Sequence, residues 1–243
     1  METEIRLAKR IQQSGYCSRR KAEELIEQKK VKVNGIVVSE QGIKVGPKDE
    51  VSVNGEVISK NTELIYLLLN KDAKTVSTRI DEKNRKTVLS DLPPEYRDVY
   101  LWPVGRLDWD TTGALILTND GELTNKLTHP KNEVKKQYLA SLKGIYNINH
   151  LSKLLKGIKI DENYLAKPDS AEIISTNKSA GQSLVSITIH EGKNHEVKNI
   201  FKAQGFEVLK LHRARFAFLT VEGLARGTVR SLKKAEVKKL YAL

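Results

Sequence analysis

Cysteine, methionine and tryptophan are scarce in this chain: 243 residues contain one cysteine, one methionine and two tryptophans. A lone Cys17 excludes an internal disulfide and fits a reducing compartment. No apolar run approaches the length needed to span a bilayer. The start, Met1-Glu2-Thr3-Glu4, is acidic and runs straight into a helical pattern, unlike a signal peptide. There is no Walker loop and no dinucleotide-type glycine pattern after a strand. The five histidines (His129, His150, His190, His195 and His212) are scattered. With one cysteine they form no metal-ligand spacing, and the His-x-Glu with Pro-Cys-x-x-Cys pattern of zinc base deaminases is missing. A serine or cysteine triad has no local signature.

What is present is charge and a normal core. Hydrophobic residues make up 39% and charged residues 30%, with a net charge of +12 and a pI near 9.6. That composition specifies a folded protein rather than a disordered one. Its sign favours polyanionic partners, RNA or DNA first. No basic amphipathic helix carries a bulky aromatic face, which ranks membranes low. The charge is uneven, +3 over residues 1–60 and +9 over the remainder.

The first sixty residues read as a small basic module. Ile5 to Ser14 has helical periodicity with Gly15 as its stop, and Ser18 is placed to cap a second helix faced by Ala22, Leu25 and Ile26. Val31 to Val38 alternates around Asn34-Gly35, a strong hairpin signal, and Val51-Ser52-Val53-Asn54-Gly55 repeats it. Arg19, Arg20 and Lys21 open the second helix, where positive charge opposes the macrodipole. Phosphates are well received at such a position, so the cluster reads as a phosphate site or as a solvated basic turn. Ile5-Arg6-Leu7, Gly15, Ser18-Arg19-Arg20-Lys21, Leu25-Ile26 and Val31 to Gly35 together resemble the S-four-like RNA-binding domain. That resemblance implies an RNA tether with no chemistry of its own. Ser59 to Glu63 reads as a polar linker.

Further on, Leu64 to Lys71 suits a buried strand. Pro93-Pro94 breaks the chain. Val104-Gly105-Arg106-Leu107-Asp108-Trp109-Asp110-Thr111-Thr112-Gly113 then places an arginine and two carboxylates before an apolar run, Ala114 to Leu117, closed by Asn119-Asp120-Gly121. A charged loop fixed by a buried strand is a good place for chemistry. The two carboxylates, Asp108 and Asp110, would also be compatible with a glycosidase, although their spacing does not set the separation such enzymes need. Glu122 to Thr128 reads as a short helix, Lys135 to Ala140 and Leu184 to His190 as strands; Glu191 to Phe201 follows, in a helix closed by Gly205. Leu209 to Thr220 reads as a last strand with Arg213 and Arg215 on one face. Ser231 is placed to cap a basic tail helix.

The stretch from Gly105 to Gly121 closely resembles the catalytic motif of the RsuA/RluB/RluE/RluF-type pseudouridine synthases, and the match is gapless. The resemblance implies Asp108 as the catalytic carboxylate, with Asp110 at a variable place. It further implies Tyr138, in Lys136-Gln137-Tyr138, as a stacking partner of the target uracil, and Lys198, in Glu191-Gly192-Lys193 to Val197-Lys198, as the cation paired with Asp108. Burial favours a neutral carboxyl, which gives that cation a physical reason. Arg106 is placed to fill the gap left by an extruded base or to form a structural ion pair. Arg79, Arg85 and Lys86, in a loop where Asn84 replaces the usual glycine, are RNA-contact candidates, as are Lys193 and His195. The family implies no cofactor and no metal.

The fold expected is α+β: an S-four-like RNA-binding domain over residues 1–60, then a mixed, mainly antiparallel-sheet catalytic domain over 61–243. The expected protein is a cytoplasmic, monomeric, bacterial-type enzyme acting on ribosomal RNA or on a ribosome assembly intermediate. Asn194 and the Arg79 to Val88 loop favour the large-subunit branch. His195-Glu196-Val197-Lys198 keeps the small-subunit branch open, and a non-catalytic RNA-binding assembly factor is the alternative from another class.

Overall fold

The structure, a computed structural model, describes residues 4–59, 63–162 and 164–243. The chain forms two compact units: residues 1–65 with 94–101 and 119–121, and the remainder.

In the first unit, β1 (Ile5–Arg6) leads directly into α1 (Leu7–Gln13), followed by α2 (Arg19–Glu27), β2 (Val31–Val33), β3 (Ile36–Val38), β4 (Lys44–Val45), β5 (Val51–Val53) and β6 (Glu56–Val57). Ile5 is therefore not helical; it pairs with Val45 as a strand residue. Ser18 caps α2 by accepting from the Lys21 N–H at 3.1 Å. Both hairpins turn on Asn-Gly pairs with left-handed backbone, φ 51° and 82° at Asn34-Gly35 and 52° and 88° at Asn54-Gly55. Such turns match the twist of the flanking strands. Leu7, Ile11, Ala22, Ile26, Val31 and Val53 meet in one core. The linker expected over Ser59 to Glu63 falls mostly outside the described residues.

The second unit contains β7 (Tyr66–Lys71), after which the short α3 (Pro94–Arg97) belongs to the first unit. There follow β8 (Trp102–Pro103), β9 (Thr112–Thr118), α4 (Gly121–Thr128), β10 (Lys136–Lys143), α5 (Ile148–Lys156), β11 (Ile158–Asp161), β12 (Tyr164–Ala166), β13 (Ser170–Asn177) and β14 (Gln182–Ile189). The chain ends through α6 (Glu196–Ala203), β15 (Glu207–Phe216), β16 (Leu219–Thr220), β17 (Val229–Ser231) and α7 (Lys234–Tyr241). Nine strands build one sheet along the path β13-β14-β10-β15-β9-β7-β17, with β16 on β15 and β8 on β9. Within that sheet, among the described residues, every ladder is antiparallel except β9 with β15.

β9 is buried at every position, because both its faces are covered. Its Ala114 and Ile116 pack with Leu68, Leu123, Leu127, Phe216 and Leu240. Fully burying a leucine or isoleucine contributes about 1.5–3 kcal/mol, so the strand that follows Asp108 rests on a firm base.

Three local expectations are corrected. The stretch from Leu209 to Thr220 is two strands, and β17 follows it. Ser231 ends β17 rather than capping the tail helix; the Glu236 carboxylate instead accepts from the Lys233 N–H at 2.7 Å. Arg213 and Arg215 do not share a face. The register slips between Gln137 and Tyr138, a bulge that shifts the side-chain alternation. Arg213 is consequently buried and Arg215 exposed.

Candidate active site

The loop from Gly105 to Thr111 is short of regular partners, so its buried carbonyls need donors from elsewhere. Lys71, at the end of β7, supplies them. Its side chain is fully buried, and Nζ donates to the carbonyls of Thr111 (2.8 Å), Asp72 (2.9 Å) and Asp108 (3.1 Å), with that of Trp109 at 3.4 Å. Ser77 fixes the other side: its hydroxyl accepts from the Leu107 N–H at 3.1 Å and donates to the Leu107 carbonyl at 2.8 Å. A turn bond from the Thr111 N–H to the Asp108 carbonyl closes the loop at 3.1 Å.

Thus fixed, Asp108 meets two nitrogen-bearing side chains, a lysine and a histidine, from far along the chain. Lys198 Nζ lies 3.0 Å from Asp108 Oδ2 and His195 Nδ1 lies 3.1 Å from the same oxygen. Lys198 also reaches Asp110 Oδ1 at 2.6 Å. Burial alone would lower the Lys198 pKa, but the two carboxylates raise it above its ordinary value. Burial likewise opposes ionisation of Asp110, yet the Lys198 ammonium holds that carboxyl below its usual range. His195 takes a left-handed backbone, φ 52°, as the residue that precedes α6. Such backbone is uncommon outside glycine, and histidine is among the residues enriched in it.

The loop before α6 is tied down as well. Tyr164 places its hydroxyl 2.6 Å from a carboxylate oxygen of Glu191 and 2.6 Å from one of Glu196. Glu196 accepts from the Lys193 N–H at 3.1 Å, and Lys193 sets its ammonium 3.0 Å from the centre of the Tyr164 ring.

Asp108 opens onto a cavity of about 590 Å³, whose lining does not include its partner Lys198. Arg106, Asp108, Tyr138, Lys193 and His195 line it, together with Lys136, Glu196 and Arg213. Tyr138 is buried in β10. Arg106 is exposed and forms no hydrogen bond or ion pair among the described residues, which removes the structural ion pair as its role. Arg79, Arg85 and Lys86 do not line the cavity. Arg85 is paired with Asp81 at 2.7 Å and Lys86 with Asp91, in a loop that Ser77 fastens to Leu107. The Asn84 that replaces the usual glycine takes φ 53°, so that turn is kept. In the first unit, Arg19, Arg20 and Lys21 form the first turn of α2, with Lys21 bonded to Glu24 at 2.8 Å. Among the described residues no group of three or more His, Cys, Asp or Glu side chains is placed to hold a metal ion. No helix among them is long and apolar enough to cross a membrane.

Sequence reasoning missed Lys71, Ser77, Tyr164 and Arg213. Lys71 left one trace, a charged residue closing an otherwise apolar run. Its burial lowers its pKa to about 8, against weaker support from Asp110 and Asp108. Burial and the nearby Arg213 lower Lys136 to about 8 as well. Between pH 8 and the ordinary 10.5, the unfolded chain then binds more protons at both lysines than the folded chain does. Stability from these groups therefore rises with pH through that window. Burial raises Tyr146 to about 12, which works the other way once pH exceeds 10. We expect urea midpoints to increase from pH 8 to pH 10 in wild type. The increase should shrink in Lys71→Met, and a flat or falling wild-type profile would contradict the burial of these ammonium groups.

A carboxylate clamped by a lysine and a histidine, at a cavity flanked by arginines and a buried tyrosine, is a site built for a polyanion. The model of the RNA pseudouridylate synthase family matches residues 65–203, and that of the S4 domain matches residues 5–51. The chain belongs to the RNA pseudouridylate synthases, enzymes that isomerise uridine in RNA to pseudouridine, and carries an N-terminal S4 domain. Ribosomal large subunit pseudouridine synthase B of Bacillus subtilis (strain 168) is 47% identical over 238 residues, covering 98% of this chain and 96% of its own length. An uncharacterised RNA pseudouridine synthase of Aquifex aeolicus (strain VF5) is 37% identical, covering 98% and 94%. A solved pseudouridylate synthase structure superposes with a TM-score of 0.67 at 30% identity, covering 97% of this chain and 99% of its own.

Proposed function

We propose that this enzyme converts a uridine of large-subunit ribosomal RNA to pseudouridine, with Asp108 as the reactive carboxylate. The observation that carries the assignment is the clamp on Asp108. One oxygen, Oδ2, takes both Lys198 and His195, which leaves the other oxygen available to the substrate. The reaction breaks the bond between uracil N1 and ribose C1′, turns the base and joins C5 to C1′. The proton leaves C5 and N1 gains one, so the product is an isomer and no cofactor is consumed. One ionised carboxylate acting as nucleophile or base is sufficient equipment.

The target must leave its stack, at a cost of a few kcal/mol. Arg106, exposed at the cavity and without a partner among the described residues, is the side chain that fills the vacated space. Tyr138 stacks on the uracil, and Lys193 contributes charge beside the cavity. Arg79, Arg85 and Lys86 follow the RNA backbone on the adjoining loop. The substrate preference rests on the Bacillus relative, whose full length this chain matches. Residues 1–60 act as the tether and residues 61–243 as the catalytic domain, in a cytoplasmic monomer.

Two measurements test this reading. Pseudouridine mapping of ribosomal RNA from cells lacking the protein should show the loss of one position in the large subunit. Loss in the small subunit would reassign the substrate, and an unchanged map would remove ribosomal RNA altogether. For the tether, Arg19→Ala with Arg20→Ala should weaken RNA binding. It should also flatten the dependence of log Kd on log salt by about 0.7–0.9 for each phosphate that is no longer neutralised. An unchanged slope would return this cluster to a solvated basic turn.

A further inference from the structure

Arg213 is the one cationic side chain lining the cavity that the reaction as written does not use and that is almost fully buried, at 2% exposure. Burying a guanidinium without a counter-ion is costly, yet no carboxylate pairs with it among the described residues. Its Nε donates to the Ala114 carbonyl at 2.7 Å. Its Nη1 lies 3.5 Å from the Tyr138 hydroxyl, at the long limit of a hydrogen bond. Its Nη2 is buried and has no hydrogen-bond partner among the described residues. The Phe216 ring, 5.1 Å away, covers one side of the guanidinium. Unsatisfied buried donors are rare in folded proteins, and each calls for an explanation. Lys136, the neighbouring cation, is a donor only and cannot satisfy Nη2; its own Nζ donates to the carbonyls of His190 (2.7 Å) and Glu191 (3.1 Å).

We propose that Arg213 is a substrate-contacting residue whose unpartnered Nη2, covered by neighbouring protein atoms in the free enzyme, is uncovered by a small side-chain shift as the extruded uracil enters and donates to its carbonyl oxygen, O2 or O4. The contact strengthens when the base separates from the ribose. Breaking the N1–C1′ bond leaves the electron pair on uracil, and the negative charge spreads over N1, O2 and O4. A preorganised donor aimed at developing charge acts more strongly on the transition state than on the ground state. The charge disappears again when C5 joins C1′, the C5 proton departs and N1 is protonated. Tyr138 gives the geometry: a base stacked on its ring presents an edge to the guanidinium beside the hydroxyl. The bulge at Ala214 in β15 is what turns Arg213 inward to that place, while Arg215 stays on the surface.

This assignment rests on the Asp108 cavity being the reaction site, and the tests separate the two. The structure of Asp108→Asn bound to an RNA carrying the target uridine should place Nη2 within about 3.2 Å of a uracil oxygen. Nη2 on a phosphate oxygen, on a protein acceptor or on water would overturn it. Single-turnover release of label from C5-tritiated uridine RNA provides the second readout. At saturating RNA, Arg213→Gln should slow release by roughly 10²–10³-fold, and Arg213→Lys should slow it less. RNA affinity in both should remain within about threefold, a small change in binding free energy. Thermal unfolding of each variant identifies any loss that comes from folding, and in that event the complex structure, which uses native Arg213, decides the matter. A folded Arg213→Gln enzyme with an unchanged rate, or one that loses affinity rather than rate, would overturn the proposal. Retained activity in Asp108→Asn would instead sink the reading of the cavity itself.

Discussion

Asp108→Asn should abolish isomerisation, by on the order of 10⁴-fold or more, as loss of a catalytic carboxylate or nucleophile does elsewhere. RNA affinity should be largely retained. Asparagine keeps the size of aspartate but loses the charge and the reactive oxygen. Little else needs to move. Lys198 keeps Asp110 as a partner at 2.6 Å, so no ammonium is left alone. His195 remains half exposed and can be met by water. The loop backbone stays anchored by Lys71 and Ser77, whose bonds go to main-chain atoms. Asp110→Asn is the matched comparison. Its side chain is 61% exposed, and pairs so exposed contribute about 0–1 kcal/mol. That change should cost less than about tenfold in rate. Single-turnover tritium release and filter binding measure both variants. Activity in Asp108→Asn within tenfold of wild type, or a larger loss in Asp110→Asn, would remove Asp108 from its role.

Gly113→Ala should cost about 3–5 kcal/mol, combining overpacking with a left-handed backbone. A whole domain is commonly stable by about 5–15 kcal/mol. The cause is local. A Cβ at Gly113 would lie 2.2 Å from the Arg213 carbonyl oxygen and 2.8 Å from the Arg213 N and C atoms, at φ 109°. These are backbone atoms, so no side chain can rotate away. Gly113 faces Arg213 in the parallel pairing of β9 with β15, and relieving the clash means separating the two central strands. Gly227→Ala isolates the backbone contribution, since Gly227 has φ 75° and nothing within 4 Å of its would-be Cβ. It should cost about 1–2 kcal/mol. Urea unfolding followed by tryptophan fluorescence gives both values. A Gly113→Ala midpoint no lower than that of Gly227→Ala would mean that the strands can part cheaply.

Legibility differs with the kind of interaction. Both Asn-Gly hairpins, the Ser18 cap and the buried strand after Asp108 can be read directly, because turn chemistry, capping and periodicity act over a few residues. Ile5 escapes such reading for the same reason: its local pattern is helical, but pairing with Val45 makes it a strand. Ser231 is a good cap by type, yet β17 claims it. The alternation of Arg213 and Arg215 fails at a bulge, which depends on the partner strand and leaves no mark on its own residues.

The sequence by itself determined the family, the two modules, the turns and the Asp108 motif, since each is written in contiguous residues of distinctive type. It named Tyr138 and Lys198 through their place in a known pattern. Only the tertiary structure decided that Lys198 and His195 share one oxygen of Asp108, and that Lys71 and Ser77 hold the loop from beneath. It also decided that Arg213 is buried at the cavity wall with one nitrogen unpartnered among the described residues. These contacts join residues 30 to 99 positions apart in the chain. They arise from sheet order and strand register, and a buried charge shows its partners, or its lack of them, only after the chain has closed around it.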